Sequence, residues 1–141
     1  MSDITLIKTI ILRAPPERVW EFLTEPDLLA RWFYESNSTL KEGASFELIR
    51  ENPVTDDPRM LWGDVLKTEN PKRLVHTFRY HGQAEELDSQ VEWTLEAVFG
   101  GTKLTLVHRN SAASAEAVWI EAKDTDIGWD EHLFRLRSIF S

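Results

Sequence analysis

Cysteine is absent from the 141-residue chain, which excludes a disulfide framework and a thiolate nucleophile. Nothing in the sequence therefore requires an oxidising compartment. A long hydrophobic run is missing as well. The apolar stretch near the start is broken by Lys8 and Thr9, so it is too short to span a bilayer, and it lacks the flanks of a signal peptide. We expect a cytoplasmic protein with no membrane span.

Basic residues are scarce: 16 Lys and Arg stand against 24 Asp and Glu, a net charge of -8. This charge repels a phosphate backbone, and no basic arm or stripe is present to overcome it. We expect no binding to nucleic acid.

Metal-binding and cofactor motifs are also missing. The four histidines form no H-x-x-x-H or H-E-x-x-H pattern, and a metal site needs three or four converging ligands. The glycines of "FGGT" fit a hairpin turn with no helix after it, which is not a phosphate loop. The sequence predicts neither a metal nor a cofactor.

Aromatic residues, in contrast, are plentiful. The chain has six Trp and seven Phe within a hydrophobic content of 42%. At this length and composition we expect one domain over residues 1–141 with a single sizeable core.

The order of elements can be predicted from periodicity and turn residues. Residues 4–13 are dense in β-branched side chains and predict a strand. A helix follows from Pro16, and a second short helix runs through "LLARWF", for which Thr24 is the predicted N-cap. Period-two segments separated by turn residues then predict five antiparallel strands: 44–51, 60–68, 72–80, 89–98 and 102–109.

The last third of the chain predicts one long helix over 114–140. Seven residues fall on one stripe at steps of three and four: Val118, Ala122, Thr125, Trp129, Leu133, Leu136 and Phe140. The segment "KDTDIG", which ends at Gly128, predicts a kink or a break in this helix.

Four segments in this order carry a family resemblance: "PPERVWEFLTEPDLLARWF", "WGDVLKTENPKRLVHTFRY", "GGTKLTLVH" and "GWDEHLFRLRSIF". The chain resembles the START-like (SRPBCC) superfamily, in particular the group similar to the activator of the heat shock protein 90 ATPase. The resemblance implies an α+β helix-grip fold. In this fold a curved antiparallel sheet of about six strands wraps around the long C-terminal helix, and two short helices follow the first strand.

The superfamily often encloses an apolar cavity between sheet and long helix, and the resemblance implies one here. The residues expected to bind a ligand in it are Trp32, Phe33, Trp62, His76, Phe78, Trp93, His108, Thr125 and Trp129. Trp119 is expected at its margin. Many relatives have a histidine where this chain has Thr125, so a shared acid–base chemistry is not implied. Large rings also dominate ordinary cores, and a filled interior remains the alternative.

His76 and His108 point inward by strand alternation. Each is either a general base or a hydrogen-bonded core residue, and the sequence fixes no Ser, Cys or carboxylate partner for it. His81 and His132 are interpreted as a turn residue and a helix flank. No catalytic residue is assigned.

Binding of a small hydrophobic or aromatic molecule is therefore the predicted function. A chaperone-interaction module and a cavity enzyme of the cyclase or hydrolase type are the alternatives.

Overall fold

The computed structural model describes residues 2–49 and 59–141. In chain order the elements are β1 (Ser2–Leu12), α1 (Pro16–Thr24), α2 (Pro26–Leu29), β2 (Glu35–Ser36), β3 (Ser45–Ile49), β4 (Arg59–Glu69), β5 (Arg73–Thr77), β6 (Arg79–Tyr80), β7 (Asp88–Val98), β8 (Gly101–Ala112) and α3 (Ala115–Ile139). The end of the predicted strand 44–51, residues 50 and 51, lies outside the described residues.

The strands form one antiparallel sheet with the order β1-β8-β7-β5-β4-β3-β2, and β6 pairs with β4. The helix α3 packs against β1 and β8. This is the helix-grip fold that the resemblance implied, with eight strands among the described residues in place of about six.

The additional strands have local causes. The predicted strand 72–80 is two strands because Phe78 interrupts it. Thr77 is the last residue of β5, which lies between β4 and β7, whereas within residues 2–49 and 59–141 Arg79 and Tyr80 pair only with β4. The two-residue strand β2, which pairs with β3, has no period-two signal long enough to reveal it.

The second helix is shorter than predicted. It ends at Leu29, its N-cap is Glu25, and no side chain caps it. Thr24 instead closes α1, where its hydroxyl donates to the Trp20 carbonyl at 2.9 Å. The predicted N-cap was therefore wrong, because a threonine hydroxyl can equally bond back to the carbonyl four residues earlier.

The long helix α3 is continuous through Gly128, so the predicted break is absent. Ser114 caps its first turn by accepting from the Ala117 amide at 3.2 Å. The stripe from Val118 to Leu136 is buried as expected, but Glu121 is buried with it. Glu121 thus places a buried carboxylate beside a mostly apolar stripe, so the interior contains a polar group at this point of α3.

Candidate functional site

Trp129 and His108 begin a chain of hydrogen bonds beneath α3. Trp129 Nε1 donates to His108 Nδ1 at 2.9 Å, and His108 Nε2 lies 2.6 Å from Ser89 Oγ. Because Nδ1 accepts, a neutral ring carries its proton on Nε2 and donates it to Ser89. The Ser89 hydroxyl then donates to Asn110 Oδ1 at 3.2 Å.

Trp93 and His76 form a second pair of the same kind. Trp93 Nε1 donates to His76 Nε2 at 3.1 Å, and His76 Nδ1 lies 2.8 Å from the Thr77 carbonyl oxygen. The carbonyl can only accept, so the proton of the neutral ring is on Nδ1. Both nitrogens of both histidines are thus used within the protein.

Burial keeps these two histidines neutral. It lowers the pKa of His76 to about 4. Burial also lowers the pKa of His108 to about 3, with a further contribution from His76. A general base would need a free nitrogen facing the substrate, so the geometry supports the core interpretation of both residues.

An open cavity of about 280 Å³ lies between α3, the strands β4 and β6, and the segment after α2. Its wall is mostly aromatic. The Phe33 ring stacks on Trp129 with centroids 5.4 Å apart and meets His132 edge-on at 4.6 Å. The lining residues are Phe33, Tyr34, Met60, Leu61, Phe78, Tyr80, His81, Asp124, Thr125, Gly128, Trp129 and His132.

Four residues of the expected ligand set line this cavity: Phe33, Phe78, Thr125 and Trp129. Trp32, His76 and Trp93 border instead a void of about 20 Å³ in the packed interior. His108 lies beneath the wall and contacts Phe78 at 4.7 Å between ring centroids.

Trp62, from the expected ligand set, and Trp119, expected at the margin, do not line the cavity. Trp62 is half-buried and stacks under the Arg59 guanidinium, 4.2 Å from its ring centroid. Its strand neighbour Leu61 points into the cavity, so alternation turns Trp62 away. Trp119 is 64% exposed on α3, because it follows the stripe residue Val118 by one position and therefore lies about 100° round the helix from it.

Several lining residues were not in the expected set. Asp124, Gly128 and His132 follow one another at steps of four along α3. Each directly precedes a residue of the buried stripe, so helical spacing could have identified them. His132, interpreted from sequence as a helix flank, lies in the wall. Tyr80 and His81 belong to β6 and the turn after it, and no local pattern places them there.

A buried carboxylate stands behind the cavity at Tyr80. The Tyr80 hydroxyl donates to Glu121 Oε2, and Gln83 Nε2 donates to Glu121 Oε1 at 3.2 Å. Burial raises the pKa of Glu121, and the two hydrogen bonds oppose this effect. No salt bridge reaches Glu121 within residues 2–49 and 59–141.

The part of the chain that the structure describes contains no group of three or more His, Cys, Asp or Glu residues that could hold a metal ion. No helix in that part is long and apolar enough to cross a membrane.

Solved structures share this fold. CalU16 from Micromonospora echinospora is 30% identical, with a TM-score of 0.69 over 95% of this chain and 73% of CalU16. Protein MLL2253 from Mesorhizobium loti is 24% identical, with a TM-score of 0.77 over 96% of this chain and 95% of that one. DynU16, from the dynemicin biosynthetic locus, is 24% identical, with a TM-score of 0.74 over 95% of this chain and 46% of DynU16.

A comparison with curated proteins found no match. The family model described as "Activator of Hsp90 ATPase homolog 1-like protein" matches residues 13–141. The chain belongs to this family, within the START-like superfamily.

Proposed function

We propose that the protein binds a small hydrophobic or aromatic molecule in the cavity between the sheet and α3. The observation that carries this proposal is the open aromatic-walled space of about 280 Å³. Pockets for small molecules are concave and mostly apolar with a few polar groups, and this one lies at the small end of their size range. One or two fused rings would fill it.

Gly128 supports an accessible cavity rather than a tightly filled one. Among residues 2–49 and 59–141, a Cβ atom built on Gly128 would have no heavy atom within 4 Å other than those of its chain neighbours and its own helix backbone. The residue lies in the middle of α3, where glycine costs about 1 kcal/mol relative to alanine. A space that an alanine could enter without contact is therefore left open at the wall.

The cavity enzyme is the weaker alternative. Its mark would be a histidine free to take a proton from a bound substrate. Both nitrogens of His76 and of His108 are hydrogen-bonded within the protein, and neither histidine lines the cavity. We propose binding without an assigned catalytic step.

The test uses one position to close the cavity. Gly128→Leu should place a side chain in the open space and abolish binding of an environment-sensitive apolar dye. Gly128→Ala is the matched control and should leave most of the space free. A saturating ligand should also stabilise the wild type and the control by about 2.7 kcal/mol at a hundredfold excess over its dissociation constant, by mass action.

Dye binding that Gly128→Leu retains at wild-type affinity would place the dye elsewhere and contradict the proposal. Circular dichroism and thermal unfolding of the variant would show that its fold is intact. The comparison then depends only on the cavity.

A second candidate function is interaction with a chaperone, which the family description suggests. One surface favours it. Ile120, Ile127 and Phe134 follow each other at seven-residue steps on α3 and are 51%, 57% and 62% exposed. Residues seven apart lie almost on one line of a helix, so these three form an exposed apolar row on the face of α3 away from the sheet, with Trp119 beside it.

This candidate is tested with purified heat shock protein 90. Stimulation of its ATPase by the wild type, lost in the double variant Ile127→Glu, Phe134→Glu, would support it. Ile7→Glu is the control, since Ile7 is equally apolar and 66% exposed on β1. Absence of binding in titration calorimetry would remove this candidate.

A further inference from the structure

Three hydrogen-bond donors of the cavity wall are committed to the protein itself. The Tyr80 hydroxyl donates to Glu121, the Thr125 hydroxyl donates to the Glu121 backbone carbonyl at 2.8 Å, and Trp129 Nε1 donates to His108. A hydroxyl whose only hydrogen is committed still has lone pairs that accept. Tyr80 and Thr125 can therefore accept hydrogen bonds from a molecule in the cavity.

His132 follows the same pattern. The Arg135 guanidinium donates to its Nδ1 at 3.2 Å, and its ring also hydrogen-bonds the backbone carbonyl of Trp32. Burial lowers the pKa of His132 to about 4, so the ring is neutral at physiological pH.

The charge of the wall is of one sign. Among the lining residues that the structure describes, Asp124 is the one carboxylate, and neither Lys nor Arg is present. Asp124 is exposed and lies close enough to contribute to the raised pKa values of both Tyr80 and Glu121. Its carboxylate thus adds to the acceptors of Tyr80 and Thr125 at the same side of the cavity.

We propose, building on the binding function above, that the cavity selects a small aromatic molecule carrying a protonated amine or another cationic donor. The amine donates to Asp124 and to the acceptor oxygens of Tyr80 and Thr125. The rings of Phe33 and Trp129 enclose the aromatic part, and their negative faces favour a nearby cation. The net charge of -8 attracts the same ligands and repels carboxylates.

The experiment uses three probes with one naphthalene ring system: 2-naphthylmethylamine, 2-naphthylmethanol and 2-naphthoate. Affinities are measured by calorimetry at pH 8 and low ionic strength, where an ordinary histidine is neutral. The amine should bind about five- to tenfold tighter than the alcohol, and the carboxylate should bind weakest.

Asp124→Asn isolates the contribution of the cavity. Because Asp124 is exposed, the variant should weaken amine binding by about two- to fivefold and leave alcohol binding unchanged. Glu96→Gln is the matched control, since it removes the same charge from an exposed position on β7, and β7 contributes no lining residue. It should leave all three affinities unchanged.

The outcomes separate the two proposals. If none of the probes binds, the cavity does not take small aromatic molecules, and both proposals fall. If the alcohol or the carboxylate binds as tightly as the amine, ligand binding stands and the selection for cations is overturned. An equal loss in Asp124→Asn and Glu96→Gln would also overturn it, because only the net charge would then matter.

Discussion

The interior on the two sides of the Trp129 ring differs in how space and polar groups are used. On the sheet side, Trp93 meets Trp129 edge-on at 5.4 Å, and the void that Trp93 borders measures about 20 Å³. On the other side, Phe33 stacks on Trp129 at a similar 5.4 Å, yet a cavity of about 280 Å³ stays open. Aromatic content alone therefore does not distinguish a packed core from a binding site.

Two features make the difference. On the packed side the N–H groups of Trp93 and Trp129 donate to the neutral rings of His76 and His108, and these bonds fix the rings relative to each other. The open side has Gly128 where a side chain would fill the space. We infer that the histidine–tryptophan pairs hold a rigid floor against which the cavity can remain open.

The largest expected effect comes from removing the ring that both regions share. Trp129→Ala should destabilise the protein by about 3–5 kcal/mol, since it deletes a fully buried aromatic side chain. It should also abolish dye binding by merging the cavity with the space left behind. Denaturant unfolding followed by circular dichroism measures the first effect.

Trp119→Ala is the control for this prediction, because Trp119 lies on the same helix and is 64% exposed. Its effect should stay within about 0.5 kcal/mol, as for most surface substitutions. Equal losses in the two variants would show that the register of α3 is wrong.

Lowering the pH should destabilise the protein through the two buried histidines of the packed side. Their folded pKa values, about 4 for His76 and about 3 for His108, lie below the ordinary 6.5, so the unfolded chain binds protons first as the pH falls. The stability that these two neutral histidines contribute is thus fully present above about pH 6.5 and is lost progressively as the pH falls below it. Between pH 7 and pH 5 each histidine should remove about 2 kcal/mol.

Glu121 contributes in the opposite direction, because its raised pKa favours the folded state at low pH and the contribution is lost as pH rises. The titration should therefore also be run on Glu121→Gln, which removes that carboxylate. In the folded protein, nitrogen NMR of His76 and His108 should show neutral rings at pH 5. Protonated rings at that pH would contradict the prediction.

Removal of the Ser89 hydroxyl, which hydrogen-bonds His108, should cause a smaller destabilisation than removal of Trp129. Ser89→Ala leaves His108 Nε2 and Asn110 Oδ1 without their shared partner, which should cost about 1–3 kcal/mol. The Nδ2 atom of Asn110 already has no partner among the described residues. Ser45→Ala is the control, because Ser45 is exposed and its bond to Asp64 at 2.6 Å lies at the surface.

Much of the fold could be predicted because long periodic segments dominate it. The stripe from Val118 to Leu136 and the alternation of β7 and β8 reflect burial directly, and both were confirmed. The short strand β2 and the division at Phe78 depend on which strand lies alongside, which local sequence does not encode. The misplaced cap at Thr24 has a different cause, because its hydroxyl bonds to the Trp20 carbonyl of its own helix instead.

The site was less accessible to prediction. Strand alternation identified the inward rings of Phe78 and Trp93, and helical spacing that of Trp129, but neither pattern could tell which rings border open space. That depends on missing volume at Gly128, interpreted from sequence only as a helix breaker. Tyr80 and Glu121 meet across 41 residues of sequence, and such a polar pair has no local signal.

The smallest effect concerns Gly128 itself. Gly128→Ala should stabilise the protein by about 0.5–1 kcal/mol, because alanine restricts the unfolded chain and its methyl group enters open space in a helix. Gly63→Ala should do the opposite, since a Cβ there would lie 2.3 Å from the Thr77 carbonyl oxygen. Chemical unfolding of both variants gives the comparison. A destabilised Gly128→Ala would mean that the wall at this position is closed, and the cavity would then be a packed region like its neighbour.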